Sequence, residues 1–369
     1  MYALSIHADY RCHNSGVCCQ VGWDIPMELP VYRSLSEAVA AGRLKTSPEA
    51  AGLDPFIVDP ELPQDAAAVF ERLDEGACVF FDHQSRLCRV HRDLGADALA
   101  TTCRTFPRLS VDDARGTFIT LSHFCPTAAS HLFRDDVPLA IVEGPEAFPP
   151  ADYDGLAVAA DDLPPLLRPS VLMDHEGYTA WEHHMIEVCA AASDPESALA
   201  TLGRDARTLR GWTGGAEPLV AAVSRLQRDP VLAAVPANLS ASLAAHAEAM
   251  ACVPDDLMPP PDLGGLADAY DRWVRDEWRR FAAPLVRYVA GKAFASWTAY
   301  QGRGVLSIVR GLDASLSLVR VEAARQCRDA SRPLDADLLK EAIRQADFVL
   351  NHLATGEELA VAWSAVEAE

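Results

Sequence analysis

Cys12-His13-Asn14-Ser15-Gly16-Val17-Cys18-Cys19, followed by Gln20-Val21-Gly22-Trp23, is the stretch on which the reading of this chain turns. It is the first of four cysteine elements. The second runs from Cys78 through Val79-Phe80-Phe81-Asp82-His83-Gln84-Ser85-Arg86-Leu87 to Cys88. The third is Thr102-Cys103-Arg104-Thr105-Phe106-Pro107-Arg108, and the fourth is Cys125-Pro126. Seven of the ten cysteines thus fall between Cys12 and Cys125 of 369 residues, while Cys189, Cys252 and Cys327 stand alone in helical stretches and read as small buried hydrophobes.

A thiolate is a soft, charged ligand, and a polynuclear iron centre needs several converging from separate loops. Cys12, Cys18, Cys19, Cys78, Cys88, Cys103 and Cys125 are therefore the candidate metal ligands. Four thiolates suffice for a 4Fe-4S cubane, so seven exceed the need of one cluster. Neighbouring side chains diverge, which makes adjacent Cys18 and Cys19 a poor pair for one small ion. Zinc is the alternative metal. Structural zinc sites with four thiolates usually show paired CxxC knuckles, and the chain has none, which favours iron–sulfur. The same lack of CxxC weakens a thiol-oxidoreductase reading. Arg104 and Arg108, beside Cys103, are candidate cofactor-binding residues: they lower thiolate pKa or offset the charge of a ligated cluster, against the plainer role of salt-bridged surface arginines. His83, His91, His123 and His131 lie near the cysteines and are left out of the ligand set.

The expected fold is mainly α. Residues 1–135 read as a cysteine-cluster metal-binding domain of short helices and loops, with one helix suggested from Glu28-Leu29-Pro30 into Ser34-Leu35-Ser36-Glu37-Ala38. Residues 136–172 are rich in Pro and acid, as in Phe148-Pro149-Pro150-Ala151-Asp152 and Asp161-Asp162-Leu163-Pro164-Pro165, and read as a linker or extended surface segment. Residues 173–369 read as a helical domain. Ser193-Asp194-Pro195-Glu196 and Asp335 are start signals. Leu266, Tyr270, Trp273, Val274, Trp278, Phe281, Leu285 and Val289 repeat at helical spacing, and Pro284 is expected to kink or split that helix. Leu338, Leu339, Ala342, Ile343, Ala346, Val349 and Leu350 form a second such stripe. No alternating strand run of similar quality stands out.

Composition narrows the function. The formal charge is -21, from 53 acidic and 32 basic residues, so phosphate backbones are repelled and nucleic-acid binding is not expected. The longest uncharged run, Val231 to Ala247, is broken by Pro236, Asn238 and serines and is too short for a membrane span. The opening residues lack the basic and apolar regions of an export signal, which points to a cytoplasmic, reducing location where clustered cysteines bind metal more often than they form disulfides.

The order Cys…Cys-Cys-x-x-x-Trp, then Cys-x9-Cys-x14-Cys-Arg-Thr-Phe-Pro-Arg, then Cys-Pro resembles the bacterial flagellin lysine N-methylase family, part of a wider group of zinc- or iron-chelating cysteine-cluster proteins. Leu339-Lys340-Glu341-Ala342-Ile343-Arg344-Gln345-Ala346-Asp347-Phe348 looks like that family's C-terminal helical region, though less specifically than the cysteine motifs. Relatives often carry a further Cys where this chain has Asn14-Ser15-Gly16. The resemblance implies methyl transfer from S-adenosylmethionine to lysine ε-amines of a protein, flagellin in the family's name, with an iron–sulfur cluster required. No Gly-rich strand-to-helix turn for the methyl donor appears: Gly214-Gly215, Gly264-Gly265 and Gly302-Arg303-Gly304 lack a preceding strand. The CxxxCxxC loop of radical enzymes is missing too. The hypothesis is that the metal centre itself helps bind the donor. The rival is a non-enzymatic metal-binding or redox-sensing protein.

Overall fold

The computed structural model describes residues 1–369 except 60, 61, 63–65, 150, 152, 154, 160–162, 216, 227–237, 256, 259, 260 and 369. Asp152 and Asp161-Asp162 of the acid-rich segment, and most of the uncharged run with its Pro236, lie outside the described residues. Helix predominates over strand, and the contacts divide the chain into two compact units. One comprises Arg11–Leu109 with a later stretch containing Ala151 and Tyr153. The other comprises Met1–Tyr10, Ser110–Pro149 and Gly155–Glu369.

The larger unit is built around the 26-residue helix Val305–Ala330, buried along most of its length. A helix apolar nearly all round belongs inside a bundle. It packs against Pro195–Leu209, Leu239–Met250, Ala282–Ala293 and Ala336–Phe348. Two expected starts are realised as caps. Asp194 accepts the Ser197 N–H at 2.8 Å and Asp335 accepts that of Leu338 at 2.9 Å. The apolar stripe from Leu266 is buried at Leu266, Tyr270, Val274, Trp278, Leu285 and Val289, but the helix is split. Short helical turns at Leu266–Ala269, Tyr270–Val274 and Trp278–Phe281 precede Ala282–Ala293, so Pro284 falls in a first turn, where its missing N–H leaves no bond unmade.

This unit also holds a five-stranded sheet, ordered Gly155–Ala157, Arg108–Asp113, Gly116–Leu121, Tyr2–Leu4, Ile141–Glu143. That corrects the reading of the first third as helices and loops alone. The hairpin over Arg108–Asp113 and Gly116–Leu121 hides its alternation because a charged residue, Asp113, is buried in it. Asp113 is paired with Arg115 at 2.8 Å and accepts the Tyr300 hydroxyl at 2.5 Å, while Arg115 also reaches Glu182 at 3.0 Å. Tyr2–Leu4 is too short to signal itself, yet it lies between strands, parallel to one and antiparallel to the other. The Pro-rich segment is extended where described, contributing Gly155–Ala157, Leu166–Arg168 and Val171–Leu172.

The smaller unit is irregular. It holds the expected helix, at Leu29–Ala40, short helices at Arg89–Leu94 and Thr101–Thr105, a three-stranded sheet of Pro26–Met27, Ala68–Phe70 and Phe56–Ile57, and a hairpin of Phe81–Asp82 with Leu87–Cys88. Its own core is formed by residues such as Met27, Leu35, Phe70, Val79, Phe80 and Phe81. Partly buried Cys19, Cys88 and Cys103 pack against it.

Candidate metal centre

Five thiols converge in the smaller unit, and local backbone chemistry explains how. Gly16, at φ +72°, turns the chain into the short helix Val17–Cys19, and a Cβ there would lie 2.5 Å from Phe81. Gly76 approaches Gly22 so closely that an added Cβ would sit 3.1 Å from the Gly22 Cα. This contact lays the Cys18-Cys19 loop along the hairpin of Glu71 to Val79, where the Cys78 N–H donates to the Cys19 carbonyl at 2.8 Å. The next hairpin sets Cys88 opposite Phe81. Its turn is organised by Asp82, whose carboxylate accepts the N–H groups of Gln84 and Ser85 at 3.1 Å and pairs with Arg89 and Arg92 at 3.0 Å. Cys103 comes from the helix Thr101–Thr105, whose first N–H donates to Glu28 at 3.3 Å.

The thiols are electrostatically one group. Cys19 hydrogen-bonds to both Cys18 and Cys88. Those bonds hold Cys18 below its ordinary value and bring Cys88 to about 7, helped at Cys88 by the backbone N–H groups of His91 and Val90. The cost falls on Cys19, pushed well up by the same two bonds and by burial. Burial pushes Cys78 up to about 12 and Cys103 well above the usual thiol range, and in both cases nearby thiolates add to the effect. A cation opposes it at both sulfurs. That cation is Arg72, half-buried on the hairpin strand opposite Cys78.

The donor set has the chemistry of a soft-metal site: one buried and four partly buried sulfurs from four stretches, with a cation, Arg72, beside them. No group of three or more His, Cys, Asp or Glu among the described residues is set at metal-ligand geometry.

The remaining predicted site residues fall elsewhere. Cys12 is exposed and its sulfur accepts the Asn14 N–H at 3.3 Å. Cys125 belongs to the larger unit, buried and 3.4 Å from the Tyr10 hydroxyl. Arg104 is exposed and donates to the Thr101 hydroxyl at 3.2 Å, and Arg108 donates to the Thr105 carbonyl at 3.3 Å. His83 and His91 are exposed. Cys189, Cys252 and Cys327 are buried, and Cys189 rises to about 12 through burial alone, as expected of packing cysteines.

Sequence reasoning missed two features. Arg72 is one; its signal is the short turn Leu73-Asp74-Glu75-Gly76-Ala77, which folds it back onto Cys78. The other is a buried polar network in the larger unit. Asp347 accepts the His123 N–H at 2.6 Å and the Tyr288 hydroxyl at 2.8 Å, and pairs with Lys292 at 2.5 Å; His123 meets His7 at 3.2 Å between Nε2 atoms. His7, His123, Tyr288 and Asp347 are fully buried. Among the described residues no helix is long and apolar enough to cross a membrane.

Comparison with known proteins adds a partial likeness. A 68-residue stretch is 38% identical to lysine-N-methylases of Salmonella typhimurium and Salmonella choleraesuis, and to the flagellar biosynthetic protein FliU of Salmonella muenchen. The stretch is 18% of this chain; it covers 17% of each methylase and 40% of FliU. No protein-family profile matches the chain, and no solved structure does.

Proposed function

We propose that the smaller unit holds an iron–sulfur cluster on Cys78, Cys88, Cys103 and one of the pair Cys18 and Cys19, and that the protein methylates lysine ε-amines of another protein with S-adenosylmethionine as donor. The observation that carries the metal reading is that Cys18, Cys19, Cys78, Cys88 and Cys103 come from four separated stretches of the smaller unit, with the Cys78 N–H on the Cys19 carbonyl at 2.8 Å and Cys88 opposite Phe81 in the adjoining hairpin. Sulfhydryls with no metal gain little from such crowding: burial raises Cys78 and Cys103, and neighbouring thiolates add to it. A metal converts that repulsion into shared ligation.

The methylase reading is supported by the 68-residue likeness to proteins called lysine-N-methylase. Flagellin as substrate is supported only by the flagellar name of FliU. A lysine amine, with an ordinary pKa of about 10.4, must lose its proton before it attacks a sulfonium methyl. The reading therefore requires a site that desolvates the amine or offers it a base. With four thiolates the cluster has no open iron, so only displacement of one of these cysteines would let it supply a Lewis acid for the donor's amino-acid end. The cysteines of this chain would hold it, with Cys78 in the smaller unit's core and Cys19, Cys88 and Cys103 partly buried against that core.

The test is anaerobic purification, metal analysis and transfer of labelled methyl to lysine-containing protein. Brown protein that binds the donor and transfers the label supports both halves. Brown protein without donor binding leaves a metal or redox protein and overturns the methylase half. Colourless protein with stoichiometric zinc replaces iron by zinc. Full methylation by folded protein carrying Cys88→Ser and Cys103→Ser removes the centre from the mechanism.

A further inference from the structure

Arg72 is in an unusual position for a guanidinium. It is half-buried, its Nη1 donates to the Gly76 carbonyl at 3.2 Å, and its Nε and Nη2 are buried without any hydrogen-bond partner. Among the described residues no carboxylate forms an ion pair with it; the neighbouring Glu71 carboxylate accepts the Arg72 backbone N–H instead. Buried arginine donors are almost always matched to an acceptor, and the planar fork of Nε and Nη2 is shaped to grip one anion with two parallel bonds. An anionic partner is therefore missing.

The hairpin says where that partner belongs. Arg72 and Cys78 face each other in an antiparallel bridge, fixed on either side by the Leu73 N–H to the Ala77 carbonyl at 2.8 Å and the Val79 N–H to the Glu71 carbonyl at 3.1 Å. Directly opposed residues stand with Cβ atoms about 4.5–5.5 Å apart on one face. The guanidinium thus shares a face with a thiol of the converging group. Its field also lowers the thiol pKa at Cys103, on a different element.

We propose that Arg72 is the counter-cation of the thiolate-ligated centre, donating Nε–H and Nη2–H to sulfur of its anionic core. This rests on the metal reading above. It assigns to Arg72, six residues before Cys78, the charge-offsetting part that the sequence suggested for Arg104 and Arg108. Hydrogen bonds and positive charge at cluster sulfur favour the reduced form, which carries one more negative charge, and so raise the reduction potential. Arg72 is then a positioning and tuning residue.

The experiment compares whole-length wild type with Arg72→Gln and Arg72→Lys, each loaded anaerobically with iron and sulfide. Midpoint potentials are measured spectroelectrochemically, alongside iron loss to a chelator and thermal unfolding. The expected result is a more negative potential in Arg72→Gln, with metal affinity about 10–100-fold weaker, and a smaller shift in the same direction for Arg72→Lys, which keeps the charge but loses the fork. If Arg72→Gln does not fold, Arg72→Lys carries the test. Unchanged potentials in iron-loaded variants would overturn the assignment while the metal reading stands, even if unfolding temperatures fall. Wild type that takes up no iron overturns both.

Discussion

Replacing Asp347 by Asn should unbalance the interior of the larger unit. The Asp347 carboxylate is fully buried and receives three donors: the His123 backbone N–H at 2.6 Å, the Tyr288 hydroxyl at 2.8 Å and the Lys292 ammonium at 2.5 Å. Burial pushes the Asp347 carboxyl up, but Lys292 and His123 outweigh it and hold it far below the usual carboxylate range. Asparagine keeps the shape but removes the charge, and turns an amide N–H toward a site where only acceptors fit. The Lys292 side chain, 15% exposed, then has no counter-charge. Breaking one side of a buried pair costs about 3–5 kcal/mol, a large share of the roughly 5–15 kcal/mol that holds a domain together. The assay is urea unfolding followed by tryptophan fluorescence, for Asp347→Asn, Lys292→Met and the double variant. The double variant should be more stable than Asp347→Asn alone, because removing the stranded ammonium relieves most of the penalty. Strict additivity of the two single effects, or a loss below about 1 kcal/mol for Asp347→Asn, would refute the reasoning.

Acid should weaken the same region. Burial lowers His352 from 6.5 to about 4, so between these values the unfolded chain binds a proton that the folded chain refuses. Stability is complete above pH 6.5 and falls as pH drops toward 4, by about 3 kcal/mol from this group; unfolding curves at pH 7 and pH 4.5 check it, with a flatter dependence expected in His352→Gln. In metal-free protein, alkylation followed by peptide mass spectrometry should find Cys88 reacting with a midpoint near pH 7 while Cys78 stays protected, because their pKa values lie near 7 and 12. Gly16→Ala should cost at least about 1 kcal/mol and reduce metal retention, since Gly16 is at φ +72° and the new methyl meets Phe81; circular dichroism melts and iron content read this directly.

The parts of the molecule legible in the sequence are those where one residue type has one physical use. Asp194 and Asp335 announced helix starts because a side-chain acceptor before an apolar run has few other roles there. Of the seven candidate cysteines, six fall in the smaller unit and Cys125 in the larger. What stayed hidden depends on pairing across distance. The strand Tyr2–Leu4 is three residues long and takes its identity from neighbours more than a hundred positions away. The Arg108–Leu121 hairpin buries Asp113 beside Arg115, which breaks the apolar alternation a strand would show. Arg104 and Arg108 are candidate counter-cations because they adjoin Cys103 in sequence. Arg72 reaches the thiols through a hairpin, and only the fold reveals that adjacency. The Asp347 network likewise joins residues from positions 7 to 347 that carry no local signal.

Iron and acid-labile sulfide per chain, with the visible spectrum, measured on anaerobically prepared wild type and on the Cys78→Ser, Cys103→Ser double variant, test the central claim most directly. The account predicts about four irons and four sulfides with thiolate-to-iron absorption in the wild type, lost in a variant whose helical signal is unchanged. Metal-free wild type, or a double variant that keeps its full iron and colour, would contradict it.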